Sequence, residues 1–492
     1  MMMKPAEARS RSAFLRAAGM TALTGVAACG GGGIGAQPPA STTAFTSLTS
    51  PRSLSQPASI TIARTSTSGS LPAALAGLSY EKSKLSSGFF NGSNSTLVGC
   101  FQRLGASIIR IGGDSVDKTT WTPAGAGGTA GQVAPADIAG LAAFVKSAGW
   151  RVIYGINLAT NTAVAAAAEA TVVAQSLGSS LYGFEIGNEC DLYHENGLRP
   201  STYTLAEFES EWSSYASAIR ASVPSAPLTG PAAAGSVSTW TVPFASAEAS
   251  SIELLTQHYY RANGQLATST LAYLLAGDPA LPGELAQLQA AASANAISGG
   301  YRIAEANSFY NGGTPNVSDA YGTALWAIDF LLLNAQNGSA GVNFHGGGEG
   351  TGYTPIADAS GAVVQVRPIY YGMLFVAQIP LGPMLPVTVT SALLLSAYAI
   401  AATNGTTYLA IVNKDATNTA VAAIALGAPA TSALPLSLVG TGLSATSGIT
   451  LGGAGVAITG AWSPTATPPI ACSGSSLSVN VPPASALLLA IT

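Results

Sequence analysis

Tyr182-Gly183-Phe184-Glu185-Ile186-Gly187-Asn188-Glu189 (residues 182–189) is a short apolar run that ends in Gly, Asn and Glu. Its length and its bounding glycine predict a buried strand over 182–186. Thr204-Leu205-Ala206-Glu207 follows with capping-box spacing, and Leu205, Phe208, Trp212, Tyr215 and Ile219 recur at helical period with Pro224 beyond. This strand-then-helix unit recurs along the chain. Working outward, strands are expected at 74–80, 107–111, 152–158, 228–234, 252–260, 301–305 and 341–344. Helical stripes are carried by Leu97, Phe101 and Leu104, by Ile138, Leu141 and Val145, and by the Ala-rich run after Asn161 or Thr162. Ser318 is placed to cap a helix carrying Tyr321, Leu325, Ile328 and Leu332, and residues 368–377 form a final helix. Eight such units over about 300 residues predict a (β/α)8 TIM barrel. An open doubly wound sheet would more often carry a Gly-rich phosphate loop after its first strand. Here Gly112-Gly113 is followed by Asp114 instead.

Beyond residue 380 the helical period stops. Short alternating runs such as Thr407-Tyr408-Leu409-Ala410-Ile411-Val412 appear between Gly, Pro, Asn and Ser. They predict a C-terminal antiparallel β-sandwich, which makes the fold class α/β plus all-β. The alternating Ser59-Ile60-Thr61-Ile62-Ala63 is expected to add a strand to it from before the barrel. The expected organisation is a signal peptide over 1–28, a Gly/Ser/Thr/Pro linker over 29–58, the joining strand over 59–70, the catalytic barrel over 71–379 and the sandwich over 380–492.

Lys4, Arg9, Arg11 and Arg16 precede the apolar stretch 17–28, the pattern of an export signal. Val26-Ala27-Ala28-Cys29 resembles a bacterial lipobox, and Gly30 to Gly33 would tether the lipid-modified Cys29. The expected location is the bacterial cell envelope, with membrane contact through the lipid anchor only. Charged residues make up 9% of the chain and the net charge is −4, with no basic cluster beyond Arg16, so a nucleic-acid partner is not expected. No apolar run reaches the ~18 residues of a spanning helix. Cys100, Cys190 and Cys472 match no metal or disulfide spacing.

In a barrel of this kind functional groups sit at the carboxyl ends of strands. The fourth expected strand leads into Asn188-Glu189, the sixth ends His258-Tyr259-Tyr260, the seventh ends in Glu305 and the eighth leads into His345. Two carboxylates at strand ends four and seven, in so sparsely charged a chain, suit glycoside hydrolysis, which needs an acid/base and a nucleophile flanking the glycosidic oxygen. Either glutamate alone is more often structural, Glu305 for instance paired with Arg302 or Arg110. His258 and His345, at strand ends, read either as functional groups or as satisfied core or rim histidines.

Gly183-Phe184-Glu185-Ile186-Gly187-Asn188-Glu189, Arg110-Ile111-Gly112-Gly113-Asp114, Gln257-His258-Tyr259-Tyr260, Ala304-Glu305-Ala306-Asn307-Ser308, Gly341-Val342-Asn343-Phe344-His345-Gly346-Gly347 and Pro368-Ile369-Tyr370-Tyr371-Gly372 resemble, in order, the motifs of glycoside hydrolase family 79, the β-glucuronidases and heparanases. The resemblance implies a retaining enzyme that cleaves terminal β-linked glucuronic acid, with Glu189 as acid/base, Glu305 as nucleophile and no metal or organic cofactor. It further implies that Asn188 bonds the sugar 2-hydroxyl, that Tyr260 bonds Glu305, and that the uronate lies near Tyr310 and the Gly312 backbone, with Tyr353 nearby. Glu81, Asp114, Tyr259 and His345 complete the expected substrate-binding set. Cys190 stands where the family commonly has Pro, and Asp114 where Asn is more usual. The alternatives are an endo-acting heparanase-like hydrolase and a surface lipoprotein that binds glycan without cleaving it.

Overall fold

The computed structural model describes residues 54–348, 350 and 352–492. The expected signal peptide, Cys29 and most of the linker lie outside them. Eight parallel strands close into a barrel, each paired with the next and the last with the first: Ala76–Glu81, Ile108–Gly112, Arg151–Ile156, Leu181–Ile186, Leu228–Ala233, Leu254–Asn263, Tyr301–Tyr310 and Val342–Gly346. They are called strands one to eight below. All are short, mostly buried runs, as a sheet covered on both faces requires.

The intervening helices supply the outer layer. Ser95–Leu104 begins with Asn94 accepting from Leu97 N, and Leu205–Ser222 with the reciprocal Thr204–Glu207 capping box. Each buries one apolar stripe against the barrel. Cys100, on the first of these helices, is fully buried and its thiol donates to the Ile458 carbonyl at 3.1 Å. The foot of the barrel is closed by the fully buried Arg302. It donates to Asn343 Oδ1 and to the carbonyls of Ala74 and Ala340, while Asn343 Nδ2 bonds those of Leu78 and Ile108. Arg302 therefore serves the end of the barrel opposite Glu305.

Among the barrel's register irregularities, two fall in strands six and seven, between Gln257 and His258 and between Ile303 and Ala306. They re-aim side chains near the carboxyl end, a common place for such irregularities. Strand seven runs on to Tyr310, so Tyr310 ends a strand where a loop residue was expected. Ser318 caps no helix. The helix Gly322–Gln336 starts at Tyr321 without a side-chain cap, and Ser318 Oγ instead accepts from Ser308 Oγ and from Thr314 N.

Two further sheets pack face to face. The smaller has the order Val387–Ser391, Ser55–Ile62, Thr419–Ala425, Ser476–Val481. The larger centres on Leu395–Ala401, Thr407–Asn413, Ser485–Ile491 and Ser432–Val439. Ile60, Ile424 and Leu477 from the first meet Leu409, Ile411 and Leu489 from the second in one core. Pairing is antiparallel except that Ser55–Ile62 runs parallel to Thr419–Ala425. That strand starts at Ser55, inside the stretch read as linker. Pro57 hid it from a pattern reading, and is tolerated because the antiparallel partner begins pairing only at Ala58. Ser70–Leu71 also joins the larger sheet, through Gly382–Leu385.

Ile60 is fully buried in the middle of the smaller sheet. Ile60→Ala should cost about 2–5 kcal/mol of sandwich stability, read as a lower denaturant midpoint.

Candidate active site

The carboxyl ends of strands one, two, four, six, seven and eight converge on a cavity of about 240 Å³ lined by Glu81, Asp114, Glu189, Leu192, Asn196, Tyr260, Glu305, Tyr310, Asn311, Gly312, His345 and Tyr353. Every expected substrate-binding residue lines it except Asn188 and Tyr259. Asn188 lies just beneath, buried, with its carbonyl oxygen taking a bond from Arg110 Nη2 at 2.9 Å. Tyr259 does not belong to the site. Neighbouring strand residues face opposite ways, so His258 and Tyr260 point inward while Tyr259 stacks on Phe330 and bonds Asp278 at 3.2 Å.

Glu305 is held from three sides. Tyr260 OH donates to its Oε1 at 2.8 Å, Arg110 Nη1 to its Oε2 at 2.7 Å, and His345 Nδ1 lies 3.5 Å from the same Oε2. Burial opposes its ionisation, but the charges of His345 and Arg110 and the tyrosine bond outweigh that and hold its carboxyl well below the usual range. Arg110 is fully buried and also donates through Nε to Glu185 at 2.5 Å. His345 bonds Ser79 through Nδ1 at 3.1 Å and reaches Glu81 through Nε2 at 3.5 Å. Burial pulls its pKa down, yet Glu305 and Glu81 carry it up to about 8.

Glu189 has a different setting. Its Oε1 lies 2.9 Å from His258 Nδ1. Burial, helped by Arg110, lowers His258 to about 4, so this imidazole is neutral near pH 7. One oxygen each of Glu189 and Glu305 and one nitrogen of His258 lie within 4.8 Å of one another. Three such donors are also a conceivable metal cluster, but here they are engaged with one another and with Arg110 and Tyr260.

The loops that present these groups are built on unusual backbone. Glu189 itself has φ 50°, a costly conformation for a non-glycine residue. Gly187, at φ 81°, has no room for a side chain because Cys190 Sγ and Tyr193 OH occupy that space. Two carboxylates hold this turn, and neither was picked out from sequence. Asp117 accepts from Leu158 N, Ala159 N, Asn188 N and Tyr193 OH at 2.7–3.1 Å. Asp191 accepts from Ala234 N and Gly235 N at 3.1 and 2.6 Å, tying the loop to strand five. Cys190, between them, is fully buried, and burial pushes its thiol far above the reactive range. On the opposite rim Gly113, at φ 75°, leaves space for the Glu81 carboxylate, which accepts from Ser115 N at 2.8 Å.

Two outcomes follow from this geometry. Asp117→Ala strands three backbone N–H groups and the Tyr193 hydroxyl, and should displace Asn188 and Glu189. Turnover of whatever substrate the site accepts should fall roughly 100-fold, measured in steady state beside wild type. His345, raised from 6.5 to about 8, stabilises the fold fully below pH 6.5, and that contribution is lost as pH rises through 8. The contribution is about 2 kcal/mol, so unfolding midpoints should decline across this window and His345→Gln should flatten the decline.

No protein-family model matches the chain. It is 34% identical to a β-glucuronidase of Neurospora crassa over 136 residues, 23% of each chain, and 26% identical to a β-glucuronidase of Aspergillus niger over 258 residues, 46% of this chain and 47% of that one. The chain thus aligns with half or less of the length of these curated relatives. Among solved structures, a 4-O-α-L-rhamnosyl-β-D-glucuronidase from Fusarium oxysporum superposes with TM-score 0.75 at 18% identity, covering 89% of this chain and all of that one. A family 51 arabinofuranosidase from Xanthomonas axonopodis pv. citri superposes with TM-score 0.67 at 15% identity and the same coverage. The structures share the fold, and the two sequence relatives bear out the resemblance to glycoside hydrolase family 79 that the motifs carry.

Proposed function

We propose that this chain is a retaining glycoside hydrolase that removes terminal β-linked glucuronic acid from glycans or glycoconjugates. The observation that carries the reading is the closeness of Glu189 and Glu305, whose nearest oxygens lie within 4.8 Å. Retaining enzymes place their carboxyl groups ~5–5.5 Å apart, whereas inverting ones leave room for a water between them. The two environments assign the roles. Glu305 faces Arg110 and His345 and is the ionised nucleophile. Glu189 faces the neutral His258 rather than a cation, a setting that suits the acid/base role.

In the first step a Glu305 oxygen bonds to the anomeric carbon while the bond to the leaving oxygen breaks and Glu189 gives that oxygen its proton. In the second, water attacks the same carbon, Glu189 takes the water's proton, and the ester to Glu305 breaks. Asn188, whose carbonyl oxygen accepts from Arg110, is the partner assigned to the sugar 2-hydroxyl in this reading. Tyr310, Gly312 and Tyr353, on one wall of the cavity, are the polar groups for the sugar carboxylate. The names of the two fungal relatives support glucuronic acid as the sugar. The export signal and a lipid on Cys29 belong to the same reading, which makes the enzyme an envelope lipoprotein. Cys29→Ala should abolish incorporation of labelled fatty acid.

An aryl β-glucuronide tests the activity. Wild type should release the phenol and give the β-anomer first by NMR, and Glu305→Ala should give no measurable turnover. Glu189→Ala should lose about 10²–10⁴-fold in kcat with a poor leaving group. First formation of the α-anomer, or turnover by Glu305→Ala, would overturn the mechanism.

A further inference from the structure

The cavity gathers four carboxyl groups, Glu81, Asp114, Glu189 and Glu305, against one lining cation, His345. Three of the four have partners that explain their charge or role: Glu305 on Arg110 and Tyr260, Glu81 on His345 and Ser115 N, Glu189 on His258. Asp114 has no hydrogen-bond or ion-pair partner among the described residues. It follows Gly113, whose left-handed backbone turns the chain toward Glu81, and its carboxyl opens onto the cavity. On the reading that the substrate is a uronate, this is an obstacle, because an ionised Asp114 adds a further negative charge to a site that must admit a carboxylate.

We propose that Asp114 works as a neutral acid in this pocket and that its ionisation excludes acidic sugars, so that it sets an upper pH limit on uronate binding. The groups facing it support this. Glu81 at the end of strand one, Glu189 in the loop after strand four, Glu305 in strand seven and Tyr353 in the segment after strand eight line the same cavity as Asp114, whereas the counter-charge is Lys118 on its own segment. His345, from strand eight, is occupied by Glu81 and Glu305. The protein around it and the charges of Glu189, Glu81 and Glu305 push the Asp114 carboxyl upward, to about 7. Solvent at its exposed face limits the size of that shift, not its direction. A protonated Asp114 also has an O–H to give a sugar hydroxyl, which the ionised form lacks.

The probe is 4-nitrophenyl β-D-glucuronide, with D-glucuronate and D-glucose as competing ligands, between pH 5.5 and 8.5. In wild type the KM for the glucuronide and the inhibition constant of D-glucuronate should rise together, approaching about tenfold per pH unit above the Asp114 midpoint. The inhibition constant of neutral D-glucose should rise far less. In Asp114→Asn, isosteric and neutral throughout, the rise for the acidic ligands should disappear below pH 8, leaving above it only what loss of the His345 charge adds. Asp114→Glu, which keeps a carboxyl, should retain it. A rise that persists undiminished in Asp114→Asn would overturn the inference while leaving the glucuronidase reading intact. His345, which loses its charge near pH 8, would then be the group responsible. Absence of both glucuronide turnover and D-glucuronate binding would instead remove the substrate reading, and this inference with it.

Discussion

The buried guanidinium of Arg110 is the interaction on which the site depends. A lone cation in a barrel interior is costly unless it is paired and its donors are satisfied. Arg110 reaches Ser79 on strand one, Glu185 on strand four, Asn188 in the loop after it and Glu305 on strand seven. A planar fork can do this, and a lysine ammonium, a point charge on a flexible stem, could not hold the same three directions. Folding the cation therefore requires partners beside it, and the pairing with Arg110 helps keep Glu305 ready as an anion. Glu185 absorbs part of the charge at full burial, so Arg110 does not neutralise Glu305 alone.

The barrel was legible in the sequence because each parallel strand is a short apolar run and most of the helices after them announce themselves by caps and apolar spacing. Limits were blurred where tertiary contacts, not pattern, extend an element. Ala306-Asn307-Ser308-Phe309-Tyr310 has little strand character, yet Asn307 is kept in strand seven by its bonds to the His345 and Tyr353 carbonyls. At Ser55 to Ala58 the strand is fixed by a parallel neighbour that is more than 300 residues away in sequence. Glu189 and Glu305 stood out because few residues in the chain are charged and both lie at strand ends. Tyr259 was drawn into the site by its neighbours in a motif, although strand alternation already turns it outward.

Asp117, Asp191 and Glu185 carried no such signal. Asp117 and Asp191 accept bonds from backbone N–H groups of other loops, and nothing near an aspartate in sequence foretells which loops will come to it. Glu185 lies inside an apolar strand, where it reads as an exception until Arg110 is brought opposite it. Local sequence therefore showed the groups that line the cavity better than it showed what holds them.

The same division explains why the strained backbone sits where it does. Glu189 and Gly187 share one left-handed turn, and Gly113 makes another across the cavity beside Asp114. A relaxed strand-to-helix connection would carry its side chains along the barrel wall. The left-handed residues instead fold both loops inward, bringing the carboxylates into one small cavity against their mutual repulsion. Asp117, itself anchored by Leu158 N and Ala159 N, and Asp191 hold the first loop by four hydrogen bonds. On the second rim the carboxylate of Glu81 accepts from Ser115 N, one residue beyond Asp114. Glu189 is thus tied through its loop, as the proposed proton transfer at a set distance demands. Asp114 is tied down only through its neighbour, so its charge, rather than its position, is the property the pocket can vary.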